Sequence, residues 1–229
     1  SAEVANQYAI TDRMDGMWGT AVPNHFLWGW KRAPGYFDCL GFSGTGVSGR
    51  TVNHNLGVVP EMIWIKSRSN SQTWFVYHKD LGTSHYLHLD TNDSKQADTY
   101  NWIFPAAPTS TQFSVSTYSG QNTYTYIAYL FATVAGVSKI SSVVHSGTTN
   151  VDAGFSNGSR FVLLKRTDAA GDWLIWDGTR GIVSGNDPYL ALNSTAAEVT
   201  NTDYIDPLSS GFTLTSNLTA GTYVYYAIA

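Results

Sequence analysis

Met62-Ile63-Trp64-Ile65-Lys66 returns 99 residues later as Phe161-Val162-Leu163-Leu164-Lys165, and Trp74-Phe75-Val76-Tyr77 returns at the same spacing as Trp173-Leu174-Ile175-Trp176. Tyr86-Leu87-His88-Leu89 matches Tyr189-Leu190-Ala191-Leu192 at a spacing of 103, which puts a four-residue insertion around Gly185 to Pro188 of the second copy. Phe113-Ser114-Val115-Ser116 and Phe212-Thr213-Leu214-Thr215 restore 99, as do Tyr124 to Ala128 and Tyr223 to Ala227. A spacing that drifts and comes back marks a tandem duplication.

Each copy reads as strands. Tyr124, Tyr126, Ala128 and Leu130 alternate with Thr125, Ile127, Tyr129 and Phe131, a period of two with apolar residues on both sides. That pattern suits a strand covered on both faces. Phe113/Val115 and Phe212/Leu214 alternate with Ser or Thr, as half-buried strands do. Asp177-Gly178 and Ser119-Gly120 are turn dipeptides, and no window of a dozen residues carries a helical stripe. The expected fold is all-β: two tandem homologous β-sandwich repeats, residues 36–134 and 139–229, packed together behind an N-terminal aromatic-rich arm, residues 1–35. Five to seven short strands are expected per copy, and Ala135 to Ser138 is too short for a flexible linker.

Composition excludes several classes of function. In 229 residues only 13% are charged while 14% are aromatic, with 8 Trp and 14 Tyr, and the net charge is −4. No Lys/Arg run exceeds Lys31-Arg32 or Lys165-Arg166, so phosphate neutralisation of nucleic acid lacks its footprint. Ile127 to Val137, the longest apolar stretch, falls short of the roughly 20 residues that span a bilayer, so no membrane insertion is expected. Cys39 is alone, which rules out an intramolecular disulfide. No leader is read at the N-terminus, and a first residue of Ser points to processing or to a longer parent chain.

The motifs that resemble chemistry lack its context. Gly44-Thr45-Gly46-Val47-Ser48-Gly49 fits the dinucleotide fingerprint, but a strand, not a helix, follows it, so a Gly-rich hairpin loop is expected. Gly154-Phe155-Ser156-Asn157-Gly158 fits a nucleophile elbow, yet the last His is His145, so no general base follows Ser156. His85 and His88, three apart on a strand, point to opposite faces and share no metal. Asp90, Asn92 and Asp93, or Asp168 and Asp172, lack the spacing of a calcium loop and read as polar turns. No catalytic residue, metal or cofactor is expected.

Aromatics are the remaining candidates. Trp74 and Trp173 hold equivalent places and read as core. Tyr100, Trp102 and Tyr118 have no counterpart in the other copy, and are expected as exposed stacking surfaces for a sugar ring or a partner chain. In the arm, Trp18, Phe26, Trp28 and Trp30 are too apolar for a solvated tail. Two readings stand: packing on the chain's own first sandwich, or contact with a neighbouring subunit.

Trp30-Lys31-Arg32-Ala33-Pro34-Gly35-Tyr36-Phe37-Asp38 resembles the W-K-R-A-P-G-F-F-D segment of structural proteins of tailed bacteriophages. His54-Asn55-Leu56-Gly57-Val58-Val59-Pro60-Glu61 is similar to the same family's H-x-L-G-V-x-P-E segment, and Lys165 to Trp173 to its second-copy signature. The resemblance runs from about residue 28 to the end. It implies a tail-fibre-like virion protein of a type frequent in marine and cyanobacterial phages, made in the bacterial host cytoplasm, with no catalytic residues attached to the motifs. The expectation is therefore a non-enzymatic module that contributes to host-surface attachment. Its expected partners are copies of itself, with a trimer favoured, other virion proteins, and a host glycan or protein. Low charge and abundant aromatics suit a chain that buries surface between subunits. Alternatives are capsid-surface decoration, a free carbohydrate-binding module, and a glycan depolymerase working through Asp pairs.

Overall fold

Apolar residues on both sides of a strand require a cover on each face, and the fold supplies it by stacking sheets. The computed structural model describes residues 28–229, and every regular element among them is a β-strand. The first repeat contributes β1 (Phe37–Ser43), β2 (Arg50–Asn53), β3 (Met62–Ser67), β4 (Phe75–His78), β5 (His85–His88), β6 (Gln96–Ala97), β7 (Gln112–Val115) and β8 (Thr125–Phe131). The second contributes β9 (Ser138–His145), β10 (Thr149–Asp152), β11 (Phe161–Arg166), β12 (Trp173–Asp177), β13 (Leu190–Ala191), β14 (Ile205–Leu208), β15 (Gly211–Leu214) and β16 (Gly221–Ile228). That is eight strands per copy, one more than the sequence suggested, because two-residue pairings extend the sheets.

The two repeats share a seven-strand topology, to which β6 adds on the large sheet of the first and β14 on the small sheet of the second. The large sheets run β1-β8-β3-β4-β5-β6 and β9-β16-β11-β12-β13, and the small sheets β2-β7 and β10-β15-β14, with antiparallel pairing throughout. Along β3, Met62 and Trp64 enter the core between the two repeats, while Ile63 and Ile65 enter the core of their own sandwich. β11 repeats the division: Phe161 and Leu163 face the other repeat, and Val162 and Leu164 face inward. The result is four layers, small–large–large–small, with both large sheets covered on both faces. Burial of this kind contributes about 1.5–3 kcal/mol per large apolar side chain, so the joint between repeats is a core in its own right.

Polar contacts fix how the repeats meet. Trp173 donates its indole N–H to the His88 carbonyl at 2.8 Å. The Gly171 N–H donates to the Asn92 carbonyl at 2.8 Å, and the Lys95 N–H to the Thr167 carbonyl at 3.1 Å.

Three expectations change. The repeat begins inside the segment expected as arm: Ala33 and Phe37 bridge around Gly35 (φ 77°) just as Val134 and Ser138 bridge around Gly136 (φ 72°). Left-handed backbone at one position of a tight turn is what glycine supplies, so these two turns are one element used twice. The 44–49 loop is a crossover, not a hairpin, because β2 pairs with β7 in the small sheet rather than with β1. The arm residues Trp28 and Trp30, for which packing on the first sandwich and contact with a neighbouring subunit were both expected, pack within the chain against both repeats rather than the first alone. Trp30 meets Trp64 and Phe131 of the first repeat edge-on at 6.2 and 5.7 Å, and Phe161 of the second at 5.9 Å. Trp28 donates its indole N–H to Asp177 at 2.9 Å, with the Arg180 guanidinium 5.4 Å from its ring. Their rings are large and apolar, and the seam between the repeats is the nearest surface that excludes water from them. Trp18 and Phe26 lie outside the described residues.

Candidate functional site

The long connection from β6 to β7 builds the site. Asp98 opens it, and its buried carboxylate accepts three successive backbone N–H groups: Trp102 at 2.8 Å, Ile103 at 3.0 Å and Phe104 at 3.2 Å. Such a cluster of donors on a carboxylate is charge-assisted and winds the chain tightly around it. Asn101, at φ 54°, takes the left-handed position that this turn requires. Ile103 and Phe104 are thereby pulled into the first repeat's core, while Tyr100 and Trp102 stay outside.

The β7–β8 loop brings Tyr118 alongside. Its N–H donates to the Trp102 carbonyl at 3.2 Å, and the Ser119 hydroxyl donates to the Ile103 carbonyl at 2.6 Å. Gln72, from the β3–β4 loop, donates its amide to the Tyr118 carbonyl at 2.7 Å and accepts the Tyr126 hydroxyl at 3.2 Å. Three loops thus hold Tyr100, Trp102 and Tyr118 in one continuous stack, with ring centroids 4.8 and 5.2 Å apart and planes within 26° and 30°. Tyr100 is 70% exposed, Trp102 46% and Tyr118 45%. Trp102 stacks on both tyrosines, and Tyr100, the most exposed of the three, presents the largest open surface.

The structure therefore brings together the three aromatics that the sequence singled out. What the sequence reading missed is their support: Asp98, Gln72 and Ser119. Asp98-Thr99-Tyr100-Asn101 carries a turn signal in its Asp and Asn, but nothing in the sequence says that a buried carboxylate will face three N–H groups.

The other candidates separate. His85 and His88 both lie on β5, and the His88 ring packs on Phe75 and Tyr86. Asp90 accepts the Thr73 hydroxyl and, at 3.2 Å, the Trp74 N–H; Asp172 accepts the Asn193 amide at 2.8 Å. Both carboxylates serve turns. No group of three or more His, Cys, Asp or Glu among the described residues is placed to hold a metal ion. Trp74 and Trp173 part company: Trp173 is 1% exposed, whereas Trp74 is half-buried and stacks on Tyr129 at 6.1 Å. Trp74 lines an aromatic cleft of about 690 Å³ on the seam, together with Trp28, Trp30, Tyr129 and Leu192. Cys39 also borders it, and burial pushes its thiol pKa up, away from reactivity.

Fold and site define a tandem-duplicated, four-layer β-module with a rigid exposed aromatic stack on its first repeat. Residues 32–229 match the family described as a domain of unknown function, DUF7483, and the chain belongs to that family. Comparison with curated proteins and with solved structures finds no match.

Proposed function

We propose that the protein is a non-enzymatic structural module of a tailed-bacteriophage virion, tail-fibre-like or baseplate-like, that contributes to attachment to the host surface. The observation that carries this reading is the Tyr100–Trp102–Tyr118 stack, which is exposed yet held by hydrogen bonds from three loops. An apolar surface fixed in place before binding loses little conformational entropy when a sugar ring or a partner side chain covers it. The resemblance of residues 30–38 and 54–61 to virion proteins supplies the setting. In that setting the chain works as a homo-oligomer, a trimer, beside other virion proteins. Many weak stacks on one particle then give tight attachment through avidity.

The test has two parts. Light scattering after gel filtration is expected to give a mass near three chains, and a stable monomer of 25.0 kDa at all concentrations overturns the trimer. Immobilised host-surface polysaccharide is expected to retain the chain and to lose Tyr100→Ala and Trp102→Ala, with their thermal midpoints unchanged. Equal retention of parent and variants removes the stack from attachment.

A further inference from the structure

We infer that the second repeat carries its own sugar groove, lined by Tyr189, Tyr204 and Tyr223 and rimmed by Arg166, Asp172 and Thr219, and that it accepts a hexopyranose. The ligand class rests on the attachment reading above; the place rests on the groove itself.

Position comes first. The stack of the first repeat stands where the β3–β4 loop (Gln72) and the β7–β8 loop (Tyr118) meet. The duplication spacing of 99 carries these positions to Gly171 and Asn217. There the β11–β12 loop, the β15–β16 loop and the start of β16 enclose a groove of about 180 Å³. The same corner of the sandwich therefore carries an exposed stack in one copy and a concavity in the other.

The groove's chemistry suits a sugar. Tyr189 is packed between Trp176 and Tyr204, with centroids 5.7 and 5.6 Å away, so Tyr204, the outer ring of the pair, offers the apolar surface for the C–H face of a pyranose. The Tyr223 hydroxyl donates to the Thr219 carbonyl at 2.6 Å, which locks the third ring. Sugar hydroxyls need donors and acceptors beside that wall, and Asp172, Arg166 and Thr219 line it. Asp172 is exposed and accepts Asn193 at 2.8 Å; Arg166 Nε donates to Asp168 at 2.8 Å. Room for this ion pair is built into the backbone. A Cβ at Gly221 would lie 2.7 Å from Arg166 Nε and 2.9 Å from Asp168 Oδ1, so a side chain there would shift the two ends of the pair.

Groove and stack are linked by one short segment. Asn92 accepts the Gly171 N–H at the groove, and Asp98 holds Trp102 in the stack. Six residues of extended chain reach at most ~20 Å, which bounds the separation of these two backbone anchors.

The test is saturation-transfer NMR on the whole chain with the methyl α-pyranosides of glucose, galactose and mannose as probes. In the Tyr100→Ala chain, from which the stack is removed, at least one is expected to bind with a Kd, read from the concentration dependence of the transfer, that rises about tenfold, equivalent to roughly 1.4 kcal/mol, when Ala170→Trp or Asp172→Ala is added. Ala170 is exposed on the groove rim, so a Trp there fills the groove without disturbing the core. Transfer that survives Ala170→Trp and is lost in Tyr100→Ala overturns the groove and leaves attachment through the stack standing. No transfer from any of the three probes also overturns the groove, while polysaccharide retention by the parent chain decides the attachment reading separately.

Discussion

The carboxylate of Asp98 accepts the backbone N–H of Trp102 at 2.8 Å and, through its second oxygen, those of Ile103 and Phe104. One buried side chain therefore sets the path that keeps Trp102 out of the core and its two successors inside it. Asp98→Ala strands three N–H groups, and a loss of about 3 kcal/mol is expected in denaturant unfolding. Asp98→Asn keeps one acceptor but turns an NH₂ toward N–H donors, so it recovers less than half of that loss. Near-ultraviolet circular dichroism of the stacked rings should weaken in both. Unchanged stability in both variants would show that other contacts hold the loop.

The equivalent tryptophans of the two repeats should behave differently. Trp173 fills the seam at 1% exposure and donates to the His88 carbonyl, whereas Trp74 borders an open cleft. Trp173→Ala is expected to cost about 3–5 kcal/mol, as a large cavity does, and Trp74→Ala less than half as much. Urea midpoints of the two variants decide it; equal costs would mean that the seam reorganises around either ring.

The duplication and its strands were legible because burial on both faces writes apolar residues at every position, as in Met62 to Ile65 and Phe161 to Leu164. The four-layer stack was only half legible: the pattern says that both faces are covered, not that the cover is the other repeat. Tyr100, Trp102 and Tyr118 stood out because the second copy lacks them. That they would stack depends on contacts across three loops, and local sequence carries no record of such a meeting. The arm was read as a separate segment because Gly35 and Gly136 sit at a spacing of 101 rather than 99, which hid the shared turn.

The arm's anchor makes a third prediction. The Arg180 side chain is 5% exposed and lies 2.8 Å from Asp177 and 3.2 Å from Glu198, while Trp28 donates to the same Asp177 oxygen. Removing one carboxylate from a buried guanidinium costs far more than the pair contributes net. Asp177→Ala should lose about 3–4 kcal/mol, and Trp28→Phe, which forfeits one hydrogen bond, about 1 kcal/mol. Their double variant should lose less than the two losses added together, because both remove the same bond. Strict additivity would place Trp28 outside the Asp177 network.

Acid–base behaviour tests the inserted loop between β12 and β13. Asp187 is fully buried and accepts the Val183 N–H at 2.7 Å. Burial is the first cause that raises its pKa to about 6, and Asp206 and Asp203 add repulsion in the same direction. A carboxyl raised above its unfolded value binds its proton more tightly in the folded chain. Stability therefore falls as pH rises from about 4 to about 6, and the cost is complete above that window. Asp187→Asn keeps an oxygen for Val183 and has no charge to bury, so it should be more stable than the parent by roughly 1–3 kcal/mol at neutral pH. The advantage should disappear below pH 4 or so. Asp168, whose pKa Arg166 lowers, produces the opposite slope at still lower pH, and it cancels when the parent curve is subtracted from the variant's. A difference curve that is flat from pH 3 to 8, to within about 0.5 kcal/mol, would mean that Asp187 is ionised at no cost, with water or a cation reaching its second oxygen.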